Sequence, residues 1–247
     1  NVDTLVACGP GVERIAEEVT GLLPDARIGI MTSDTMRGPE SAQTFIRSVE
    51  NGELDILIGT QMVAKGHHFP NLTLVGIVDA DLGLAGGDLR AAERTYQVLQ
   101  QVSGRAGRAE RPGRVLIQTF QPEHPVMSTL VSGDRERFFE LETEARQAGG
   151  WPPFGRLAAI IVSSRDSRIA DDLARALARC APSSPDIRVL GPAPAPLSLL
   201  RGQHRRRLLL KASRDVSVQS VLRGWLEQIK VPGNARIRVD IDPYSFL

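Results

Sequence analysis

The stretch Leu54-Asp55-Ile56-Leu57-Ile58-Gly59-Thr60-Gln61-Met62-Val63-Ala64-Lys65-Gly66-His67-His68-Phe69-Pro70, followed by Leu72-Thr73-Leu74-Val75-Gly76-Ile77-Val78-Asp79-Ala80-Asp81, decides the fold class. Both halves carry an apolar run without polar alternation, the pattern of strands buried on both faces of a parallel sheet. The first run closes in Gly59-Thr60 and opens into a loop. The C-terminal edge of such a sheet is where α/β proteins hold ligands. Thr60 offers a hydroxyl there, Lys65 a cation and Gly66 bare backbone.

Downstream, Ala91, Ala92, Thr95, Val98, Leu99 and Val102 recur at helical spacing. The helix they predict runs into Gln100-Gln101-Val102-Ser103-Gly104-Arg105-Ala106-Gly107-Arg108, a Q-x-x-G-R-x-G-R string. Arg carries a permanent charge and a planar fork that fits phosphate oxygens bidentately. Motors driven by nucleoside triphosphates use such a fork to stabilise charge on the transferring phosphoryl group. The bland alternative is a basic turn meeting a helix C-terminal dipole.

The remaining pattern extends the alternation. A strand is expected at Leu5–Cys8, a helix from Val12 to Leu23, a strand at 27–31, a helix around Phe45, Ile46 and Val49, and a strand at 114–120. Strands alternating with helices predict a parallel sheet with helices on both faces. Two helices follow, at 125–132 and 134–148. The breaker Gly149-Gly150-Trp151-Pro152-Pro153-Phe154 sets the expected boundary, giving domains 1–150 and 151–247. The second domain reads strand 156–163, helix 168–180, strand 187–190, Pro-rich turn 191–196, strand 206–212, helix 216–229 and strand 235–241. This is a small α+β domain of the split-βαβ kind. Arg236-Ile237-Arg238-Val239-Asp240-Ile241-Asp242 alternates cleanly, so one face of the last strand is wet.

Composition narrows the class. Hydrophobic content of 42% and charge content of 24% are those of a globular domain, and a net charge of +1 says nothing of nucleic acid. Cys8 and Cys180 are too far apart for a metal knuckle and read as reduced thiols of a cytoplasmic protein. No apolar run approaches the ~20 residues of a membrane span, so no membrane role is expected. The chain opens at Asn1 without an initiator Met and is expected to be a piece of a longer protein.

GTQMVAKGHHFPNLTLVGIVDADLGL, the DLRAAERTYQVLQQVSGRAGRA block, RVLIQT and PEHPV together resemble the PriA family of primosomal replication-restart helicases. Within it, the blocks at 54–70 and 100–108 are similar to motifs V and VI of superfamily-2 helicases. The resemblance implies a RecA-like second helicase lobe followed by a small C-terminal domain. It implies an ATP-dependent 3′→5′ DNA helicase acting at stalled forks, with Arg108 as the finger and Arg105 touching or coupling to phosphate. Gly59, Thr60, Lys65, Gly66, Gln101 and Gly104 would line the nucleotide cleft. ATP and Mg²⁺ would be held mainly by a first lobe outside this chain, and Zn²⁺ by a cysteine cluster also outside it. Forked and single-stranded DNA, single-strand-binding protein and primosome proteins are the implied partners, for a monomer at the nucleoid.

For DNA contact the resemblance and the charge pattern offer Gln61, His67, Arg201, Arg205, Arg206, Arg207 and Lys211. Alternation puts Arg205 and Arg207 on one face of a strand and Arg206 on the other. No aromatic lies in that stretch, so contact there would run through charge rather than base stacking. The alternative is a solvated edge strand whose charge blocks aggregation. His67-His68 reads as a polar or DNA-facing loop rather than a metal site. Asp79 and Asp81 read as strand-end hydrogen-bonding groups rather than a Mg²⁺ pair. The Trp151–Phe154 cluster reads as packing for the C-terminal domain. There is no G-x-x-x-x-G-K-[ST] phosphate loop in the 247 residues. Two further readings stay open: another superfamily-2 translocase, and a DNA-binding scaffold without ATPase activity.

Overall fold

A computed structural model describes residues 11–32, 35, 38–60, 69, 71–84, 88–106 and 112–243. The strand expected at Leu5–Cys8 lies outside them. The chain divides into two compact units. The first holds the described residues up to Leu84 and from Ala91 to Arg135; the second holds Asp88–Arg90 and Glu136 onward.

In the first unit the elements run α1 (Val12–Leu22), β1 (Ile28–Met31), α2 (Pro39–Glu50), β2 (Ile56–Gly59), β3 (Leu74–Ile77), α3 (Ala91–Ser103), β4 (Arg114–Ile117) and α4 (Pro125–Ser132). β1 pairs with β2 in parallel, Ile28 opposite Ile56, and α2 makes the crossover. β3 pairs with β4 in parallel, Leu74 opposite Arg114, across α3. This is the α/β alternation expected of a RecA-like lobe. Among the described residues the strands form two two-stranded ladders rather than one continuous sheet.

Local chemistry fixes the ends of these elements. Arg27 and Asp55, at the N-terminal ends of β1 and β2, form a forked pair, Nε to Oδ2 at 2.9 Å and Nη2 to Oδ1 at 2.8 Å. The same guanidinium reaches the Gly52 carbonyl at 2.8 Å. At Gly29 a Cβ would run into Leu54 and the Phe45 ring, so a side chain there would push α2 off β1. Met31 and Ile58 are buried beneath the helices. α4 starts at His124, whose Nδ1 accepts the Val126 amide at 3.2 Å, and stops at Gly133 in the left-handed region. Its Val126, Met127 and Thr129 are buried, and it packs against α3.

The second unit comprises α5 (Arg135–Gly149, all but its first residue), β5 (Gly155–Ser164), α6 (Ser167–Arg179), β6 (Ile187–Leu200), β7 (Gln203–Ser213), α7 (Val218–Leu226) and β8 (Ala235–Ile241). The strand order is β6-β7-β5-β8 and every neighbour is antiparallel. A βαββαβ chain with this order is the expected split-βαβ architecture. Residues 158, 160 and 162 of β5 and 208, 210 and 212 of β7 point to one face, where Leu173, Ala174 and Leu177 of α6 and Val218, Leu222 and Trp225 of α7 close a single core. Trp225 is 2% exposed and donates its indole N–H to the Leu177 carbonyl at 3.1 Å.

One expectation needs correction. Residues 191–196 are not a turn: β6 continues through them, with register shifts between Leu190 and Ala193 and between Pro194 and Leu199. Pro192, Pro194 and Pro196 cannot donate to a ladder, which β6 tolerates because it is an edge strand. Gly191, at φ +99°, makes the first shift; a Cβ there would meet the Arg207 carbonyl. β7 accordingly begins at Gln203 rather than 206. The compact units pass from one to the other between Arg135 and Glu136, so α5 lies with the chain that follows the Gly149–Phe154 breaker. α5 joins the second unit because Arg146 bonds the Pro152 and Leu89 carbonyls at 3.0 and 3.2 Å.

Candidate functional site

The expected site residues fall into three groups. Gly59 and Thr60 stand exposed at the C-terminal end of β2. Gln61, Lys65, Gly66, His67 and Arg108 lie outside the described residues. Gln101, Gly104 and Arg105 lie together at the end of α3. Tyr96 and Leu99 anchor this helix in the core. Its last turn tightens as it ends: the Gly104 amide bonds Gln100, but the Arg105 amide bonds Val102 and the Ala106 amide Ser103. That i-to-i−3 pattern delivers a half-buried Arg105 just beyond the helix, while Gln101 stays exposed on the final turn.

The loop after β3 is fixed against this helix. A Cβ at Gly83 would overlap the Thr95 hydroxyl, so the loop backbone lies directly on α3. Asp79 turns the chain at φ 59°. Asp81 then ties β3 to the chain beyond β4: Oδ1 accepts the Thr119 hydroxyl and Oδ2 the Phe120 amide, both at 2.7 Å. Asp81 thus supplies strand-end hydrogen bonds, as its position after an apolar run implied. No group of three His, Cys, Asp or Glu suited to a metal is found among the described residues.

The third group is the β6–β7 hairpin. Leu200 pairs with Gln203, and the two linking residues, Arg201 and Gly202, both have positive φ, 50° and 71°. This is the twist-matched two-residue turn, with an exposed Arg where Asn, Asp or Gly is usual. Along β7 the alternation holds. Arg206 faces α6 and grips Asp171 with both prongs, Nε to Oδ1 at 2.5 Å and Nη2 to Oδ2 at 3.0 Å. Arg206 is only 17% exposed, and its hydrogen bonds hold the Asp171 carboxyl below the usual range. Lys211, on the opposite face, donates to the Gly149 carbonyl and lies 4.4 Å from the centre of the Trp151 ring. Arg206 and Lys211 are therefore engaged within the unit. Arg205 shares the Lys211 face and donates to the Leu197 carbonyl at 3.3 Å; Arg207 lies on that face too. Residue spacing gave the faces of β7 correctly, but the acceptors, on α6 and at the end of α5, had no local signal.

Comparison with known proteins bears on both units. The model of the helicase conserved C-terminal domain matches residues 11–110, and that of the primosomal protein N C-terminal domain matches 147–244. The chain is 45% identical over 245 residues to the replication restart protein PriA of Rickettsia felis, covering 99% of this chain and 38% of that protein. It is 40% identical to the PriA of Treponema pallidum, over 97% of this chain and 36% of that protein. Against the Bacillus subtilis PriA the identity is 36%, over 97% and 30% respectively. The chain thus spans roughly a third of the length of these relatives. With a helicase lobe and the PriA C-terminal domain following one another along nearly its whole length, the chain belongs to the PriA family of replication restart proteins.

Proposed function

We propose that this chain forms the second nucleotide-facing lobe and a DNA-contacting C-terminal domain of an ATP-dependent 3′→5′ DNA helicase that restarts stalled replication forks. The observation that carries the reading is the tightened end of α3, which presents Arg105 at the head of the G-R-x-G-R string inside a lobe of helicase type. Arg108 is the finger for ATP and Mg²⁺ held by a partner lobe, and Arg105 couples to it. Gln101 and Gly104 sense the nucleotide beside them. Gly59, Thr60, Lys65 and Gly66 form the second nucleotide-facing station, and Gln61 and His67 extend it toward DNA. The second unit meets DNA through Arg201, Arg205 and Arg207. Single-strand-binding protein and primosome proteins are the partners this role requires, in the compartment that holds the chromosome.

Hydrolysis needs both charge neutralisation and positioning of the phosphates. The 247-residue chain has no phosphate loop and should release no phosphate from ATP, with or without DNA. In the full-length protein, Arg108→Ala should lower turnover by about 10³–10⁵-fold and leave fork binding nearly intact. A mutant retaining more than about a tenth of the wild-type rate would move the finger to Arg105. A wild-type full-length protein that binds forks without turnover would establish the scaffold reading instead.

A further inference from the structure

The wet face of β8 meets the wet face of β7 across β5. Ser163 is opposite Arg205 on one side and Arg236 on the other; Ile161 is opposite Arg207 and Arg238 in the same way. Paired residues of an antiparallel sheet share a face, so all four arginines stand on the side of the sheet away from α6 and α7. Arg236 and Arg238 are exposed, and Arg205 and Arg207 half-buried. The two pairs belong to segments some 30 residues apart, and only the sheet register brings them together.

The rest of that face divides sharply. At the other end Leu157 and Ala159 are buried, with Leu89, Trp151 and Leu209 packed against them. The carboxylates of this region lie at that covered end: Asp240 of β8 is opposite Ala159, and Asp242, just past β8, is held by the Arg156 guanidinium at 2.8 Å and the Leu157 amide at 2.9 Å. The half with the arginines has no carboxylate in its two rows and no aromatic ring. The exposed Arg201 stands at the β6–β7 turn, and the exposed Arg165 follows the same end of β5.

We propose that this half-face, Arg205, Arg207, Arg236 and Arg238 around Ile161 and Ser163, is a phosphodiester-binding platform for single-stranded DNA. The proposal rests on the reading that the second unit contacts DNA and names the surface that does so. Charge complementarity identifies the occupant. Flanking strands lie about 10 Å apart across β5, and successive rows about 7 Å apart along it. Four guanidinium forks spread over that area match a chain of phosphates better than one small anion. Without a ring to stack a base, contact runs through the backbone and is indifferent to sequence.

The test measures binding of the 247-residue chain to fluorescent single-stranded oligonucleotides of two unrelated sequences over a range of salt. The variants are Arg236→Ala/Arg238→Ala, the same positions changed to Lys, and Arg201→Ala/Arg205→Ala. The β8 alanine pair should weaken binding to both sequences alike and flatten the slope of log affinity against log salt by about 1.4, two contacts at about 0.7 each. The Lys pair should keep most of the slope, which separates charge from misfolding. If the β8 pair binds as wild type while the hairpin pair loses slope, the platform is overturned but the DNA role of the unit stands. If the wild-type chain binds no oligonucleotide, both fail. Tighter binding of a Glu-rich peptide of equal charge than of DNA would also overturn the platform.

Discussion

The two units place their candidate sites in different ways. In the first, the candidates among the described residues sit at the ends of elements: Gly59 and Thr60 where β2 stops, Gln101 on the last turn of α3, and Gly104 and Arg105 just past it. In the second, all but the turn residue Arg201 stand within a strand, and Arg205, Arg207 and Lys211 share one face of an antiparallel sheet while Arg206 takes the other. A site at element ends is built from contiguous residues, because one turn carries the whole group. A site on a sheet face is built from residues that pairing alone brings side by side. The first kind leaves a string in the sequence; the second leaves fragments that mean little separately.

If the units are as distinct as this contrast implies, damage to one core should spare the other. Trp225→Ala empties the centre of the second core and removes the bond to Leu177. It should cost about 3–5 kcal/mol and abolish the second unit's unfolding transition in calorimetry. The first unit should still resist proteolysis; loss of both together would show that they fold as one.

A smaller effect sharpens the division of labour along β7. Asp171→Asn should weaken the grip on Arg206 and destabilise the second unit by about 1 kcal/mol. Its pH dependence has a defined sign. The Asp171 carboxyl is lowered by the hydrogen bonds from Arg206, so its stabilisation is present above the unfolded value of about 3.9 and fades as pH falls through the lower folded value. The gap in melting temperature between wild type and Asn variant should be widest above about pH 4 and shrink below it. DNA affinity should barely change, since Arg206 is turned toward α6. A large loss of affinity with an intact fold would return Arg206 to the DNA-binding set.

The smallest effect opposes stability to binding at one residue. Arg201 occupies a left-handed position in the β6–β7 turn, where Asn is better tolerated. Arg201→Asn should stabilise the second unit by up to about 1 kcal/mol and flatten the salt dependence of single-strand binding by about 0.7. A variant that melts higher and keeps the full slope would take Arg201 out of the DNA path.

Much of the molecule was legible in the chain. Alternating strands and helices gave the parallel ladders and the βαββαβ order, because burial imposes its period locally. The G-R-x-G-R string marked the end of α3, and the alternation along β7 assigned each arginine its face. Asp81 was readable as a strand-end group from its place after an apolar run. The edge position of β6 was not legible: a Pro-rich segment reads as a turn until its strand is known to lie at a sheet margin. Nor were the partners of Arg206 and Lys211, since an arginine in a basic string looks equally available whether or not Asp171 waits on α6. The platform around Ile161 and Ser163 is the clearest case. Sequence determined that Arg205 and Arg207 share one face of β7 and that Arg236 and Arg238 share one face of β8, because strand alternation is a property of neighbouring residues. Only the tertiary structure decided that these are the same face of the same sheet, because register is set by hydrogen bonding between segments distant in the chain.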